Sequence, residues 1–400
     1  MRRQAAAPTD LVVHHALLLA ASHRAPSWAI AVGQIHATVR YASTAGRQGT
    51  TKKAATAKPN PGDNDDAKKK KDGGGEGAAK PSHRLLAIGD VHGDFDKLRQ
   101  ALASVGMIDH KTMKWTGGNA TLVQTGDLID RGHQDKQVLD LMMQLQQAAP
   151  KDGGKVVVLI GNHEDMVTGG DERYVAGESM AAFGGLDARR AAFRPDGVYG
   201  KWINEMPLIH LERGTVFAHG FLAPKHLDAS FIKTNWKDAQ SHSRSPLMPP
   251  PELSGDVVES KLESDPLVRV SVLNALYGWY RQQPEEATSE DQVARALMRV
   301  TSDVVWRRPL EDTVHDEPDV LTTLSLLQAD RMVVGHTPLA DTVKPLFSDK
   351  LFIIDVAMSR WMRDHPPSVL EIHPGEKEKA PTRVSIVQLA KDGTLLKQKS

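Results

Sequence analysis

Short aliphatic runs recur along this chain at 85–88, 121–123, 156–160, 215–217 and 332–334, and each ends within three residues of a Gly or His of a polar block. Because they are continuous rather than alternating, they predict strands buried on both faces, as in parallel sheets. Amphipathic stretches at 94–105 and 135–147 predict helices, so this half reads strand, helix, strand, helix, strand. Two further buried strands are expected at 351–355 and 384–389. The interval 221–328 breaks the pattern. It has a Pro-rich turn at 246–251, then apolar residues at helical spacing (Leu267, Val270, Leu273, Leu276, Tyr277, Tyr280) and a second such stretch from Val293 to Val304. It predicts a helical insertion between two strands, the place where loops around a fixed site set selectivity.

The segment before 83 has no such pattern. Residues 1–50 are rich in Arg, Ala, Ser and Thr and contain no apolar run long enough to span a bilayer, so stable membrane insertion is not expected. They predict a targeting segment with the composition of a transit peptide. Mitochondrial import is favoured, with plastid, endomembrane or cytoplasmic residence as alternatives. Residues 51–82 run through Gly, Ala, Lys, Pro and Asp and predict a low-complexity linker. One domain is expected over 83–393, with a tail at 394–400.

The chain has 50 basic and 50 acidic residues, but the first 82 carry about +7 and the remainder about −7. A mildly acidic body lacks the basic footprint of a nucleic-acid binder. There is no cysteine, which excludes thiolate metal sites and a cysteine-based phosphatase mechanism. The sequence carries no signal for an oligomeric state.

Candidate chemistry sits where the apolar runs end. The five blocks are Gly89-Asp90-Val91-His92-Gly93, Gly126-Asp127-Leu128-Ile129-Asp130-Arg131-Gly132, Gly161-Asn162-His163-Glu164, Ala218-His219-Gly220 and Gly335-His336-Thr337. Asp90, Asp127, His92, His219, His336 and the Asn162 amide form a mixed O and N donor set suited to a pair of divalent metals. Asp127 has two oxygens with which to bridge two cations. His163 is better suited to donating a proton than to ligating a metal, and Glu164 reads as structural. Asp130 and Arg131 alternatively form a local ion pair, and a lone Asn-His reads equally as a helix cap.

In this order, the blocks resemble the calcineurin-like metallophosphoesterases, and within them the phosphoprotein phosphatases. Gly161 to Met166, Gly170-Asp171-Glu172-Arg173-Tyr174-Val175 and Ile354-Asp355-Val356-Ala357-Met358-Ser359 resemble the Shewanella-like, bacterial-type protein phosphatases. The resemblance implies an α/β fold, a two-layered β-sandwich flanked by helices. Asp90, His92 and Asp127 would hold one metal, and Asp127, Asn162, His219 and His336 the other. Manganese is expected, with iron or zinc as alternatives. The implied reaction is hydrolysis of phosphomonoesters on proteins by direct attack of a metal-bridging hydroxide. His163 would serve as acid, oriented by Asp130, and Arg131 and Asn162 would contact the phosphate. A second phosphate-clamping arginine is expected in the insertion at Arg307, or else at Arg194. Two other functions share this ligand set: a nucleotide polyphosphate hydrolase of the diadenosine tetraphosphate type, and a non-catalytic phosphoprotein-binding scaffold.

Overall fold

The computed structural model describes residues 83–241, 255–281, 297, 300, 302–309, 313–373, 383–390 and 394–399. The expected targeting segment, the linker, the turn at 246–251 and most of the stretch at 293–304 lie outside the described residues.

The aliphatic runs form strands with nearly the expected bounds. They are β1 (Leu85–Ile88), β2 (Thr121–Gln124), β3 (Lys155–Val158), β5 (Thr215–Ala218), β6 (Arg331–Val334), β8 (Leu351–Ile353) and β10 (Arg383–Leu389). Four more strands complete the set: β4 (Ile209–Glu212), β7 (Lys344–Leu346), β9 (Ser368–His373) and β11 (Leu395–Lys399). They make a six-stranded sheet ordered β11-β10-β9-β1-β2-β3 and a five-stranded sheet ordered β4-β5-β6-β8-β7. Strands β1, β2 and β3 pair in parallel, as do β5, β6 and β8, and the outer strands are antiparallel.

Side chains alternate between two environments, which explains the absence of polar residues in these runs. Leu85, Ala87, Val123 and Val157 of one sheet meet Phe217, Val333 and Phe352 of the other in a core between the layers. Their neighbours Leu86, Ile88, Leu122 and Val158 face outward, where they join helix residues such as Leu98, Val138, Leu139 and Met142. Those residues lie on α1 (Phe95–Ser104) and α2 (Asp135–Ala148). Asp94 caps α1 by accepting from Lys97 N at 3.2 Å. The architecture is therefore the expected two-layered sandwich flanked by helices.

After β3 come α3 (Asn162–Thr168), α4 (Gly177–Ala182), α5 (Leu186–Phe193) and α6 (Val198–Asn204). The insertion between β5 and β6 is helical as expected. It contains α7 (Ala229–Ser241), α8 (Gly255–Lys261), α9 (Pro266–Arg281) and α10 (Thr313–Leu326), and part of it packs around a core of its own that includes Ile232, Trp236, Val272 and Leu276. On α9, the Asn274 amide oxygen accepts from Leu208 and Ile209 N–H at 3.0 and 3.1 Å, and its NH2 donates to Ile209 O at 2.9 Å. At its other end, Arg281 pairs with Asp165 of α3 at 3.2 Å. The insertion thus holds both an edge strand and the helix that begins with Asn162 and His163.

The expected tail at 394–400 needs correction, because Leu395–Lys399 is an edge strand antiparallel to β10. Its one apolar pair followed by lysines and a glutamine hides it from a hydrophobicity reading. Lysine is nonetheless a usual residue of sheet edges. Strand β7 is hidden for a similar reason: it contains Pro345, which is tolerated because the strand lies at an edge.

Phe217 is wholly buried between the layers. Phe217→Ala should lower unfolding stability by about 3–5 kcal/mol, seen as a lower urea midpoint with a largely unchanged m-value. A loss below about 1 kcal/mol would show that the inter-sheet core does not carry the fold.

Candidate metal centre

Each donor block lies just beyond the carboxyl end of a parallel strand. Asp90 and His92 follow β1, Asp127 follows β2, Asn162 follows β3, His219 follows β5 and His336 follows β6. Both sheets thus deliver donors to one place, as expected for strand ends in α/β folds. The backbone must turn sharply there. His92, Asp127, Asp130, Arg131 and His336 all have positive φ, between 45° and 69°, an unusual concentration of left-handed non-glycine residues. Gly126 (φ 98°) lets its loop approach the next one, since a Cβ there would sit 2.6 Å from Gly161 Cα.

Hydrogen bonds fix which imidazole nitrogen is available. His219 Nδ1 lies 2.8 Å from Thr125 O and His92 Nδ1 lies 3.2 Å from Ile129 O. A carbonyl can only accept, so each of these Nδ1 atoms carries a proton and each Nε2 is the nitrogen turned toward the carboxylates. In His336 the roles reverse: Nε2 donates to Trp306 O at 3.0 Å, which frees Nδ1. Metal-binding histidines are commonly oriented by such second hydrogen bonds. His219 Nε2 lies 3.3 Å from Asp127 Oδ1 and 2.9 Å from Asn162 Oδ1, and His92 Nε2 lies 3.7 Å from Asp127 Oδ2 and 3.9 Å from Asp90 Oδ2. Asp127 thus stands between a His92 side and a side formed by His219 and His336. Asp90 also accepts the backbone N–H of His336 at 3.1 Å. The structure therefore brings all six expected ligands together.

The electrostatics suit cations. Asp90, Asp127, Glu164 and Asp355 are all buried here. Burial, then Asp355 and Asp127, push Asp90 well above the usual carboxylate range. Burial also acts to raise Asp127, but the imidazoles of His219 and His163 overcome it and hold Asp127 well below that range. Burial pushes Asp355 up to about 6, and burial with Asp127 beside it pushes Glu164 up to about 7. His92 and His336 are lowered by burial to about 3 and stay neutral, the form in which imidazole binds metal. Burial is also the first influence on His219, but Asp127 outweighs it and raises that ring. Buried carboxylates crowded among imidazoles fit two divalent cations, which would relieve the repulsion.

Glu164 is the scaffold of the centre. Its Oε2 accepts from Asp127 N and Gly161 N at 2.8 and 2.9 Å, and its Oε1 from Leu128 N at 2.8 Å. This one side chain locks the Asp127 turn to the start of α3, in keeping with the structural role expected for it.

Beside the donors, His163 Nδ1 lies 2.8 Å from Asp130 Oδ2, and its Nε2 lies 4.0 Å from Asp127 Oδ2. The ring therefore turns one nitrogen to Asp130 and the other to the cluster, close enough to join His92 and Asp127 as a third potential donor. Arg131 stacks on Tyr174 at 4.6 Å, and its Nε has no hydrogen-bond partner. The expected dyad and its arginine are therefore assembled. Arg307 departs from expectation: its guanidinium is held by Asp316 and Asp319 at 3.2 and 3.3 Å and stacks on buried Phe221. Its neighbour Arg308 instead reaches the rim and donates to His336 O at 2.6 Å. The other candidate, Arg194, faces Asp196 at 3.4 Å. Sequence reasoning also missed Tyr174, whose ring lies 5.2 Å from that of His163, and Trp306, partly exposed and 6.0 Å from the His336 ring. Their aromatic character is a weak signal by itself, because only the fold brings them to the centre.

A bridging carboxylate flanked by two sets of N and O donors, with an imidazole–carboxylate dyad at its side, defines a class: hydrolases that cleave phosphate esters with two metals. The chain belongs to the calcineurin-like phosphoesterase family, whose model matches residues 83–351. It is 27% identical to Shewanella-like protein phosphatase 2 of Arabidopsis thaliana over 72% of this chain and 75% of that one. A shorter match, 32% identical, is to Shewanella-like protein phosphatase 1 of Plasmodium berghei, over 35% of this chain and 39% of the relative. Among solved structures, a mutant of a cold-active protein tyrosine phosphatase superposes with a TM-score of 0.57 at 26% identity, covering 79% of this chain and 80% of that one.

Glu164→Gln leaves a single oxygen to accept from three backbone N–H groups. It should weaken metal affinity about 10- to 100-fold, the range seen when outer supports of metal sites are lost. Metal content after dialysis against graded chelator measures this, and unchanged retention would remove Glu164 from the role of scaffold.

Proposed function

We propose that this chain is a metal-dependent phosphoprotein phosphatase. The observation that carries the reading is the convergence of Asp90, His92, Asp127, Asn162, His219 and His336 on one buried centre, with the His163–Asp130 dyad beside it. The names of the related phosphatases support phosphorylated protein side chains as the substrate class. Two divalent cations, when bound, supply an activated water and a clamp on the phosphoryl oxygens. Manganese is proposed for both positions, since a mixed carboxylate, amide and imidazole set accepts it readily.

The residues of the chain supply the rest. Asp130 accepts from His163 Nδ1 and turns Nε2 toward the cluster, where the protonated ring can give its proton to the departing oxygen as the P–O bond breaks. The pKa of His163 is raised: burial opposes protonation, but Asp127 and Asp130 outweigh it, so the ring can hold that proton. Arg131, with an unpartnered Nε, offers N–H donors to the equatorial phosphate oxygens. Asn162, at the first turn of α3, would contact the same group. Tyr174 stacks on Arg131 and lies beside His163, the proposed proton donor.

The test compares phosphotyrosyl, phosphoseryl and phosphothreonyl peptides with diadenosine tetraphosphate, using full-length protein supplied with Mn2+. At least one peptide should be hydrolysed faster than the nucleotide, and the opposite order would overturn the substrate class. His163→Asn should keep both metals yet lose about 10²–10⁴-fold in kcat, whereas Asp127→Asn should lose metal itself. Equal metal loss in the two variants would overturn the division of roles.

A further inference from the structure

Arg189 is a charged side chain with no exposed surface, and the chemistry above makes no use of it. It comes from α5, outside the five donor blocks. Its guanidinium lies against the ring of Phe193 at 4.6 Å, with Phe183 at 5.8 Å. Nη2 lies 3.4 Å from Asp130 Oδ1 and 3.6 Å from Asp135 Oδ2, and Nη1 lies 4.0 Å from Glu172 Oε1. Nε and Nη1 have no hydrogen-bond partner, so the strongest engagement of this buried cation is with Asp130 and its neighbour.

Asp130 is the residue that orients His163, and its two oxygens are divided. Oδ2 takes His163 Nδ1 at 2.8 Å, and Oδ1 faces Arg189. Asp130 also has a left-handed backbone, φ 69°, and its N–H is bound by Asp135 Oδ1 at 3.1 Å. Asp135 is in turn fixed by Ser179 Oγ at 2.7 Å. A carboxylate on a strained loop can rotate unless both oxygens are held. Without Arg189, two buried carboxylates, Asp130 and Asp135, would face each other with no cation between them. Asp130 would then turn or take up a proton, and His163 would lose the acceptor that fixes its ring and its tautomer.

We propose that Arg189 is a positioning residue for leaving-group protonation, holding the Asp130 carboxylate so that His163 Nε2 faces the departing oxygen. This rests on the reading of His163 as the proton donor. It makes the dyad a relay of Arg189, Asp130 and His163 that reaches from a helix outside the donor blocks to the reacting bond. Phe193 and Phe183 serve as the aromatic bed of the guanidinium.

The test uses leaving-group dependence, which a general loss of folded protein does not change. Full-length Mn2+-supplied wild type, Arg189→Met, Arg189→Lys and His163→Asn are assayed on phenyl phosphate, whose leaving group needs a proton, and on 2,4-dinitrophenyl phosphate, whose leaving group does not. The ratio of the two kcat values is independent of how much of each preparation is folded. Arg189→Met should lose at least about tenfold more kcat on phenyl phosphate than on the dinitrophenyl ester, with KM within about twofold of wild type. Arg189→Lys keeps the charge with a shorter reach and should fall between Met and wild type. Equal losses on both esters in both Arg189 variants, while His163→Asn shows the selective loss, would overturn the inference and leave the reading of His163 intact. If His163→Asn shows no selectivity, the reading itself falls and takes the inference with it. Should Arg189→Met not yield soluble protein, Arg189→Lys alone decides, since a ratio equal to that of wild type overturns the relay.

Discussion

Four carboxylates, Asp90, Asp127, Glu164 and Asp355, are buried together where two sheets converge, and the arrangement around them follows from that crowding. Negative charges so placed repel one another and resist leaving water, so each must be hydrogen-bonded, paired or given a cation. Glu164 is resolved by three backbone N–H groups, and Asp355 accepts from Ala357 N at 2.8 Å. Asp90 and Asp127 face three imidazoles whose second nitrogens are tied to carbonyls. The left-handed turns and the near-touching glycines of adjacent loops let short chain segments deliver so many polar groups to one small volume.

The layered fold is what makes this crowding tolerable. Six short, mostly apolar strands (β1, β2, β3, β5, β6 and β8) give each sheet a face toward the other sheet and a face toward helices, so the ends of the strands are rigid platforms. The donors sit one to four residues beyond those platforms, too near for the backbone to drift. The geometry of the donor cluster is thus inherited from the inter-sheet packing rather than built by the loops alone.

Much of this was legible in the sequence, and the reasons differ by residue. Asp90, His92, Asp127, Asn162, His219 and His336 could be read because each lies within four residues of the end of an apolar run, so local sequence sets their place in the fold. His163, Asp130 and Arg131 share those blocks and are brought together with them. The orientation of Arg307 could not be read because a position inside a helical insertion gives no rotational reference. Two acids of α10 claim its guanidinium, and nothing in a Trp-Arg-Arg sequence says which arginine turns inward. Arg189 and Tyr174 escaped for another reason. They belong to short polar helices and loops after β3, where an arginine or a tyrosine reads as surface, although the fold buries Arg189 and brings the Tyr174 ring beside His163. Strands β7 and β11 were hidden because proline and lysine, poor strand formers in the middle of a sheet, are acceptable at its edge.

The seams made by α9 bear on how such enzymes diverge. Asn274 occupies the backbone groups at the start of edge strand β4, and Arg281 reaches Asp165 on the helix that opens with Asn162 and His163. The insertion is therefore not a detachable cap. An exchange of insertions between relatives transfers a new surface only if the incoming segment brings its own partner for β4 and for Asp165. Without one, the graft would leave a sheet edge open to strand addition and an acidic residue unpaired beside the centre. Surface residues of the insertion are thus free to vary in a way that its two anchoring residues are not.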